Sequence, residues 1–334
     1  DTKAAARANF ASITSIDTPD DSTVVFNLSI ADVPLLAAMS SLNAAIVTSE
    51  AATSGDFKST AVGTGPFKLD SWVPDSKTIL SANKEWWGTG LSMDGIEIRI
   101  IPDETSIVAA LRAKEIDFGI LNDPLVASTI SDSDGLVINK VPSISYHVLQ
   151  LNPSRTPMDK VEVRQAMSCA IDRQEVLDTA SLGAGTVTGP LTIPAYAVPT
   201  DTLFCYKKDV AKAKDLMAKA GLADGFSIKV IAASAEPPTA LSEAQSIQAQ
   251  LAEIGITVEI ESLELNTYVD RWLAGDFDAA VALNGGRPDP YTMYARYWTS
   301  AGNLQKVSNY HDDKLDELMA QGRAETDPAK RLAI

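Results

Sequence analysis

Residues 256–283, "ITVEIESLELNTYVDRWLAGDFDAAVAL", contain a strand, a helix and a second strand in one continuous run. Residues 256–263 alternate apolar and polar side chains, which is typical of a half-buried strand. Residues 266–275 have helical spacing and end at a glycine, as helices commonly do. Residues 277–283 form an unbroken apolar run, which is typical of a strand buried on both faces. Strands that alternate with single helices predict an α/β fold.

The chain before this run continues the same alternation. Residues 226–233 predict a strand, and residues 240–254 predict a helix that a glycine ends. Residues 209–221 predict a capped amphipathic helix. An apolar stripe over residues 161–183 predicts one further helix ending at Gly183.

The first part of the chain has shorter apolar runs separated by turn residues. Residues 104–114 follow one of these runs with helical spacing, so a strand, helix, strand succession is expected here too. The predicted elements are strands at 22–28, 94–101 and 116–121, helices at 34–42 and 104–114, and a hairpin that turns at Pro74-Asp75.

Composition excludes several classes of protein. The 334 residues are 45% hydrophobic and 22% charged, as in ordinary globular domains and unlike disordered or fibrous chains. A net charge of −16 disfavours nucleic acid and anionic membrane surfaces as partners. The longest apolar runs fall short of the roughly 18 to 20 residues of a membrane helix. Two cysteines, Cys169 and Cys205, allow at most one internal disulfide and form no cysteine zinc site.

Catalytic and cofactor motifs find little support in the sequence. His147 alternates within a predicted strand, and His311 precedes a polar helix start where a capping role is expected. The glycines at 63–65 lead into a strand, so they offer no helix N-terminus to a phosphate. The 44 carboxylates are explained by a solvated surface. We therefore expect no enzyme, no cofactor and no metal site.

Residues 283–298, "LNGGRPDPYTMYARYW", follow the buried strand of residues 277–283 and bring glycine, proline, arginine and aromatic residues together. The end of a buried strand in an α/β fold is a common place for a ligand. Aromatic residues elsewhere, Trp272 and Trp87, are further candidates, although core packing is the default for any one aromatic side chain.

Several motifs occur in an order that resembles the family 5 extracytoplasmic solute-binding proteins of ABC importers, over essentially the whole chain. That family includes dipeptide-, oligopeptide- and nickel-binding proteins. The motifs are "PDDSTVVFNL", "GTGPFKLDSW", "NKEWWG", "VRQAMSCAIDR", "DVAKAKDLMAKAGL", "IQAQLAEIGITVEI", "GDFDAAVA", "PDP" and "LDELMAQGRAETDPAKR".

The resemblance implies a bilobal periplasmic-binding-protein-like fold, type II, in a three-region variant. Such a protein closes over a small solute and presents it to an ABC permease in the membrane, with no catalysis of its own. The expected location is extracytoplasmic, in the periplasm or lipid-anchored on the outer face of the cytoplasmic membrane, and the expected state is a monomer. A sensing receptor on the same fold and a small-solute hydrolase are the alternatives.

The resemblance also implies a domain organisation. Residues 1–61 would be the end of the extra middle domain, 62–142 the returning part of lobe 1, and 143–334 most of lobe 2. The crossovers between lobes are expected near 61–66 and 140–146. The chain lacks an initiator methionine and stops within a helical pattern. We therefore expect a piece of a longer, processed protein, truncated at both ends.

Arg287 is where this sequence departs from the peptide-binding members. In those proteins an aspartate on the corresponding loop pairs with the α-amine of the ligand. Alignment without gaps from Gly275 and Asp278 puts Arg287 at that position. A cationic amine beside a guanidinium would lose affinity, which disfavours free-amine peptides. Arg287 either holds a carboxylate, phosphate or sugar hydroxyl, or pairs with Asp289 or another acid of the turn.

The remaining ligand-binding candidates lie mostly on the same loop. They are Asn284, Gly286, Tyr291 and Asp289, with Trp272 and Trp87 from elsewhere in the chain. For Asp289 a role as turn acid or helix cap is favoured. A peptide, an oligosaccharide and an organic acid such as an opine all remain open as ligands. In an exported protein Cys169 and Cys205 either form a disulfide or stay as buried thiols.

Overall fold

The structure is a computed structural model that describes residues 5–54 and 61–334. The chain divides into two compact units. The first includes Leu35–Ile120 and Ile130–Leu136, and the second includes Ala8–Pro34, Leu121–Thr129 and Val137–Ile334. The three regions expected from the resemblance remain predictions. Residues 55–60, at the first expected boundary, and residues 1–4 of the opening helical pattern lie outside the described residues.

The strands and helices of the described residues are as follows. The strands are β1 (Ile13–Asp20), β2 (Thr23–Leu28), β3 (Phe67–Val73), β4 (Lys77–Ala82), β5 (Gly95–Arg99), β6 (Tyr146–Leu151), β7 (Phe226–Ala233), β8 (Ile256–Leu263) and β9 (Ala279–Asn284). The helices are α1 (Pro34–Met39), α2 (Ser49–Ser54), α3 (Glu104–Arg112), α4 (Pro124–Ala127), α5 (Val161–Ala170), α6 (Arg173–Ser181), α7 (Val210–Lys219), α8 (Ala240–Ala252), α9 (Leu265–Ala274), α10 (Pro290–Trp298), α11 (Gln305–Ser308), α12 (Asp313–Ala324) and α13 (Pro328–Ala333).

The first unit contains an antiparallel sheet in the order β3-β4-β5. Its first hairpin turns at the predicted place, because Asp75 has a φ of 55 between the two strands. Asp103 caps α3 by accepting a hydrogen bond from the Ser106 N–H at 2.7 Å. The prediction of a strand at 116–121 is wrong. Its alternating pattern finds no partner strand among the described residues, and Phe118 stays 76% exposed.

The second unit contains a four-stranded sheet in the order β6-β9-β7-β8. β7 pairs in parallel with both β8 and β9, and β6 pairs with β9 in the antiparallel direction. α8 connects β7 to β8, and α9 connects β8 to β9. The α/β prediction made from residues 256–283 is therefore confirmed. The β1-β2 hairpin belongs to the same unit.

Both faces of the central strands are buried, which explains their unbroken apolar runs. On one face Val230 and Val281 join the core that α5, α7 and α8 cover. On the other face Ile231 packs with Tyr268 of α9 and with Phe277. Successive residues of a strand point to opposite faces, so each apolar neighbour enters a different core. Packed side chains therefore hold the central strands on both faces of the sheet.

The predicted single helix over residues 161–183 is wrong, because the chain breaks between α5 and α6. The N–H of Asp172 donates to Gln250 Oε1 at 2.6 Å instead of to a carbonyl of the preceding turn. The Asp172 carboxylate then caps α6 by accepting from the N–H groups of Gln174 and Glu175. A partner 78 residues away thus ends one helix and starts the next. Cys169 and Cys205 are joined in a disulfide in this region.

The two histidines have the surroundings of structural residues. His147 lies in β6, as predicted, with its Nδ1 2.7 Å from Glu243 Oε1. The capping role expected of His311 is wrong, since Asp312 caps α12 by accepting from the Leu315 N–H at 2.9 Å.

A buried ion pair ties the segment after β2 to α12 within the second unit. Asp32, with a side chain 1% exposed, accepts from Arg323 Nη2 at 2.7 Å and from Ser12 Oγ at 2.5 Å. Burial alone raises the pKa of Asp32, but the hydrogen bonds from Arg323 and Ser12 outweigh it and hold the pKa below its ordinary value. The stability from this pair is therefore present above the unfolded pKa of about 3.9 and is lost as the pH falls through the folded value.

Asp32→Asn is expected to lower the free energy of unfolding at pH 7 by about 3 kcal/mol, because it leaves the Arg323 guanidinium without its buried counter-ion. Glu317→Gln is the control, because it removes an ion pair with Lys314 on the exposed face of α12. That variant should change stability little, since water screens an exposed pair. Denaturant unfolding of both variants makes the comparison, and equal losses would contradict it.

Candidate functional site

A loop of five residues, Gly285 to Asp289, leaves the central sheet after Asn284 at the end of β9 and enters α10. Asp289 ends it as the cap of that helix, and its Oδ1 accepts from the Tyr291 N–H at 2.9 Å. Pro290 occupies the first helical turn, where its missing N–H costs nothing. The favoured reading of Asp289 as a helix cap agrees with this geometry.

Asp289 has a second partner that the sequence did not suggest. Its Oδ2 accepts from Arg331 Nη1 of α13 at 2.7 Å, and both side chains are only 8% exposed. The alternative in which Arg287 pairs with Asp289 is therefore wrong. Of the carboxylates that the structure describes, none lies within 4.0 Å of the Arg287 guanidinium. Arg287 is an exposed, positively charged residue of this loop.

The positive charge of Arg287 acts electrostatically on the buried hydroxyl group of Tyr297. Burial raises the pKa of the Tyr297 hydroxyl, and the nearby charges of Arg296 and Arg287 partly oppose that rise. The backbone of the loop is held in place, because the Arg287 N–H donates to Met293 Sδ at 3.2 Å and Arg296 Nη2 donates to the Gly285 carbonyl at 2.9 Å. Arg287 thus projects from an anchored backbone.

Gly286 is required by a close approach to the segment before β6. A Cβ at this position would lie 2.4 Å from Ile144 Cγ1 and 2.8 Å from the Ser145 nitrogen. The Gly286 N–H donates to Ser145 Oγ at 3.0 Å. Gly285 differs, because a Cβ there would meet nothing within 4 Å. Among the predicted ligand-binding residues, Gly286 therefore has a packing reason for its identity.

A cavity of about 440 Å³ begins beside the loop and runs along β6. Its volume falls in the range of roughly 300 to 1,000 Å³ typical of small-molecule sites. Aromatic and amide side chains dominate the wall. They include Tyr146, Gln150, Asn284, Tyr297, Trp298 and Tyr310.

Hydrogen bonds fix the polar groups in the cavity wall. Tyr297 donates its hydroxyl proton to Asn284 Oδ1, and Trp272 Nε1 donates to Gln150 Oε1 at 2.9 Å. Trp272 also packs edge-on against Tyr297, with ring centroids 6.3 Å apart. Burial raises the pKa of Tyr146 as well, so both phenols stay neutral at physiological pH. The wall also contains a cation, because Arg164 lines the cavity and its Nη1 donates to the Met158 and Asp159 carbonyls.

The predicted site residues separate into three groups. Asn284 lines the cavity and Trp272 supports the wall from behind, whereas Arg287 does not line the cavity and acts on the lining residue Tyr297 through its charge. Tyr291 turns away toward α12, where its hydroxyl accepts from Arg323 Nη1 at 3.4 Å. Trp87 belongs to the first unit, with 82% of its side chain exposed and its ring 5.8 Å from that of Trp86.

Of the aromatic and amide wall residues, Tyr297 and Trp298 belong to the aromatic stretch of residues 283–298 that the sequence singled out. The wall residues Tyr146, Gln150 and Tyr310 and the loop contact Arg331 were missed from the sequence. Tyr146 and Gln150 alternate along β6 on the face opposite Leu149, which a period of two could have shown. Arg331 gave no signal, because its contact with Asp289 spans 42 residues.

The described ranges, 5–54 and 61–334, contain neither a metal-binding cluster nor a membrane-spanning helix. In these ranges no three residues among histidine, cysteine, aspartate and glutamate are grouped to hold a metal ion. No helix in the same ranges has the length and apolar character needed to cross a membrane.

Gly286→Ala is expected to destabilise the protein by roughly 1 to 3 kcal/mol, because the added methyl group overlaps Ile144 and the backbone of Ser145. Gly285→Ala is the matched control in the neighbouring position and should leave stability nearly unchanged. Thermal unfolding of the two variants gives the comparison. A Gly286→Ala protein as stable as the Gly285→Ala protein would contradict the close approach described here.

Comparison with known proteins relates the chain to a class of binding proteins. The family model described as "Bacterial extracellular solute-binding proteins, family 5 Middle" matches residues 1–305. The dipeptide-binding protein of Escherichia coli (strain K12) is 28% identical over 336 residues, which cover 96% of this chain. The chain spans 63% of the length of that relative.

Solved structures share the fold. The periplasmic binding protein DppA from Helicobacter pylori, in complex with the peptide STSA, is 28% identical with a TM-score of 0.77, covering 96% of this chain and 64% of that one. The binding protein AgaA from A. tumefaciens R10, in complex with agropinic acid, is 27% identical with a TM-score of 0.76, covering 98% and 68%. Both similar proteins hold a small solute.

Proposed function

Because the chain belongs to the bacterial extracellular solute-binding proteins of family 5, we propose that its parent protein captures a small solute outside the cytoplasm and delivers it to an ABC permease. Capture needs no covalent step and no cofactor. In this proposal a bound solute stabilises the closed arrangement of two lobes by its higher affinity for that arrangement, and the permease recognises the closed form. The protein acts as a monomer and is no enzyme.

The domain organisation of the proposal follows the family. Residues 1–61 end the extra middle domain, 62–142 return to lobe 1, and 143–334 form most of lobe 2. The observed four-stranded sheet supports the last of these assignments, since β6 to β9 all fall within residues 143–334. The candidate site then belongs to lobe 2.

The unpaired Arg287 is the observation that carries the ligand class. Its charge acts on Tyr297 of the cavity wall, while Asp289, the acid of the same loop, is already bonded to Arg331. A guanidinium without a counter-ion is suited to bind a carboxylate through two parallel hydrogen bonds. We therefore assign the solute an anionic group at the end that meets Arg287, as in an organic acid. Agropinic acid, held by a protein of similar sequence and fold, is an acid of this kind.

The names of two similar proteins favour a peptide, and the charge at residue 287 limits which peptide fits. A free α-amine placed beside Arg287 would be repelled. An acylated amine removes that repulsion, and an acyl group bearing a carboxylate converts it into attraction. The proposal is therefore compatible with a peptide-like solute whose amino end is neutral or acidic.

Arg287→Ala tests this assignment with three forms of the peptide STSA: free amine, N-acetyl and N-succinyl. Wild-type protein should bind the N-succinyl form at least about tenfold more tightly than the free amine, a difference of about 1.4 kcal/mol, with the N-acetyl form between them. The variant should bind all three within about twofold of one another. Isothermal titration calorimetry measures the dissociation constants, with agropinic acid as a fourth probe.

Lys219→Ala is the control for this experiment, because it removes the same charge from an exposed position in the last turn of α7. It should preserve the order of the three affinities. The assignment is contradicted by a wild-type protein that binds free-amine STSA best, with an affinity that Arg287→Ala leaves undiminished. Weak and equal binding of every probe by the wild type would contradict it as well.

A further inference from the structure

Arg331 makes three hydrogen bonds from a nearly inaccessible position. Its Nη1 donates to Asp289 Oδ2 at 2.7 Å and to the Tyr196 hydroxyl at 3.3 Å, and its Nε donates to the Gly322 carbonyl at 2.6 Å. The side chain is 8% exposed. Burial alone lowers the pKa of Arg331, but its bond to Asp289 and the charge of that carboxylate outweigh burial and raise the pKa, so the guanidinium stays charged.

Asp289 joins this arginine to the solute loop. One carboxylate oxygen caps α10 and the other binds Arg331, so both oxygens are used. Asp289 is 6% exposed, and a buried carboxylate without a partner would be strongly unfavourable. Without Arg331, Asp289 would pair with another cation. Arg287 is a candidate because it is two residues away in the chain.

Hydrogen bonds hold the rest of the loop in place. The competition between Arg331 and Arg287 for Asp289 therefore determines whether Arg287 carries an unpaired charge. The Gly286 N–H is bonded to Ser145 and the Arg287 N–H to Met293, which fix the backbone on the near side of Arg287. Asp289 fixes it on the far side. Asp289 is the one acid of this loop, and Arg331 already neutralises it.

We propose that Arg331 is a positioning residue for solute selectivity: by binding Asp289 it keeps Arg287 unpaired, and so it sets the charge preference of the site without touching the solute. This inference rests on the proposed function, because it concerns the same anion contact. It adds a residue from α13, 42 positions away, that controls the contact.

Arg331→Met is the main test, because methionine fills similar space without charge. With N-succinyl and N-acetyl STSA as probes, the variant should lose the preference for the succinyl form, its two dissociation constants falling within about twofold. Arg331→Lys, which keeps the charge, should restore part of the preference. The double variant Arg287→Ala/Arg331→Met should show no further loss beyond Arg287→Ala, since both changes remove one contact.

Tyr196→Phe is the matched control, because it removes another hydrogen bond of Arg331 and leaves the bond to Asp289 intact. It should keep the succinyl preference. If Arg331→Met does not fold, Arg331→Gln replaces it, because glutamine keeps an N–H donor for Asp289 but carries no charge. That variant should lose the succinyl preference in the same way.

The outcomes separate this inference from the proposed function. A preference that disappears in Arg287→Ala but survives in Arg331→Met overturns the inference and leaves the anion contact standing. A melting temperature lowered in Arg331→Met with unchanged selectivity has the same meaning. A wild-type protein with no preference between the two probes overturns both.

Discussion

The buried ion pair between Arg331 and Asp289 joins the last helix of the chain to the loop that leaves the central sheet. The cap of α10, the path of the loop and the lack of an ion pair at Arg287 all depend on this pair. A pair this buried is weak evidence of net stabilisation, because desolvation offsets most of the attraction. Its value here lies in specificity, since it neutralises the one acid that could otherwise neutralise the solute contact.

The core of the second unit holds the start of this loop in place. β9 is buried on both faces, so its last residue, Asn284, is delivered to a fixed point at the edge of the cavity. The aromatic side of α10 then completes the wall through Tyr297. Glycine at 286 lets the loop pass close to Ser145 before it turns to Arg287. A buried sheet, a tight turn and a capped helix thus fix the position of Arg287 in the loop, while Arg164 supplies a second cation in the cavity wall.

Sequence patterns predicted those strands and helices that are determined by residues close to them in the chain. The strands and helices from β7 to β9 follow from apolar periodicity, because each run is buried by its own neighbours in the chain. The break at Asp172 could not be predicted, since it depends on Gln250 from a distant helix. The sequence located the loop and identified Arg287 as its unusual residue. It left the partner of Asp289 open, because an ion pair across 42 residues has no periodic signature.

Two proteins of similar fold hold different solutes, the peptide STSA in one and agropinic acid in the other. The central claim is that Arg287 meets an anionic group of the solute. A crystal structure of the protein with N-succinyl STSA tests it most directly. We expect the succinyl carboxylate within hydrogen-bond distance of the Arg287 guanidinium, at about 2.7 to 2.9 Å, with Asp289 still bonded to Arg331. A complex in which Arg287 pairs with a carboxylate of the protein, and the succinyl group points elsewhere, would contradict the claim.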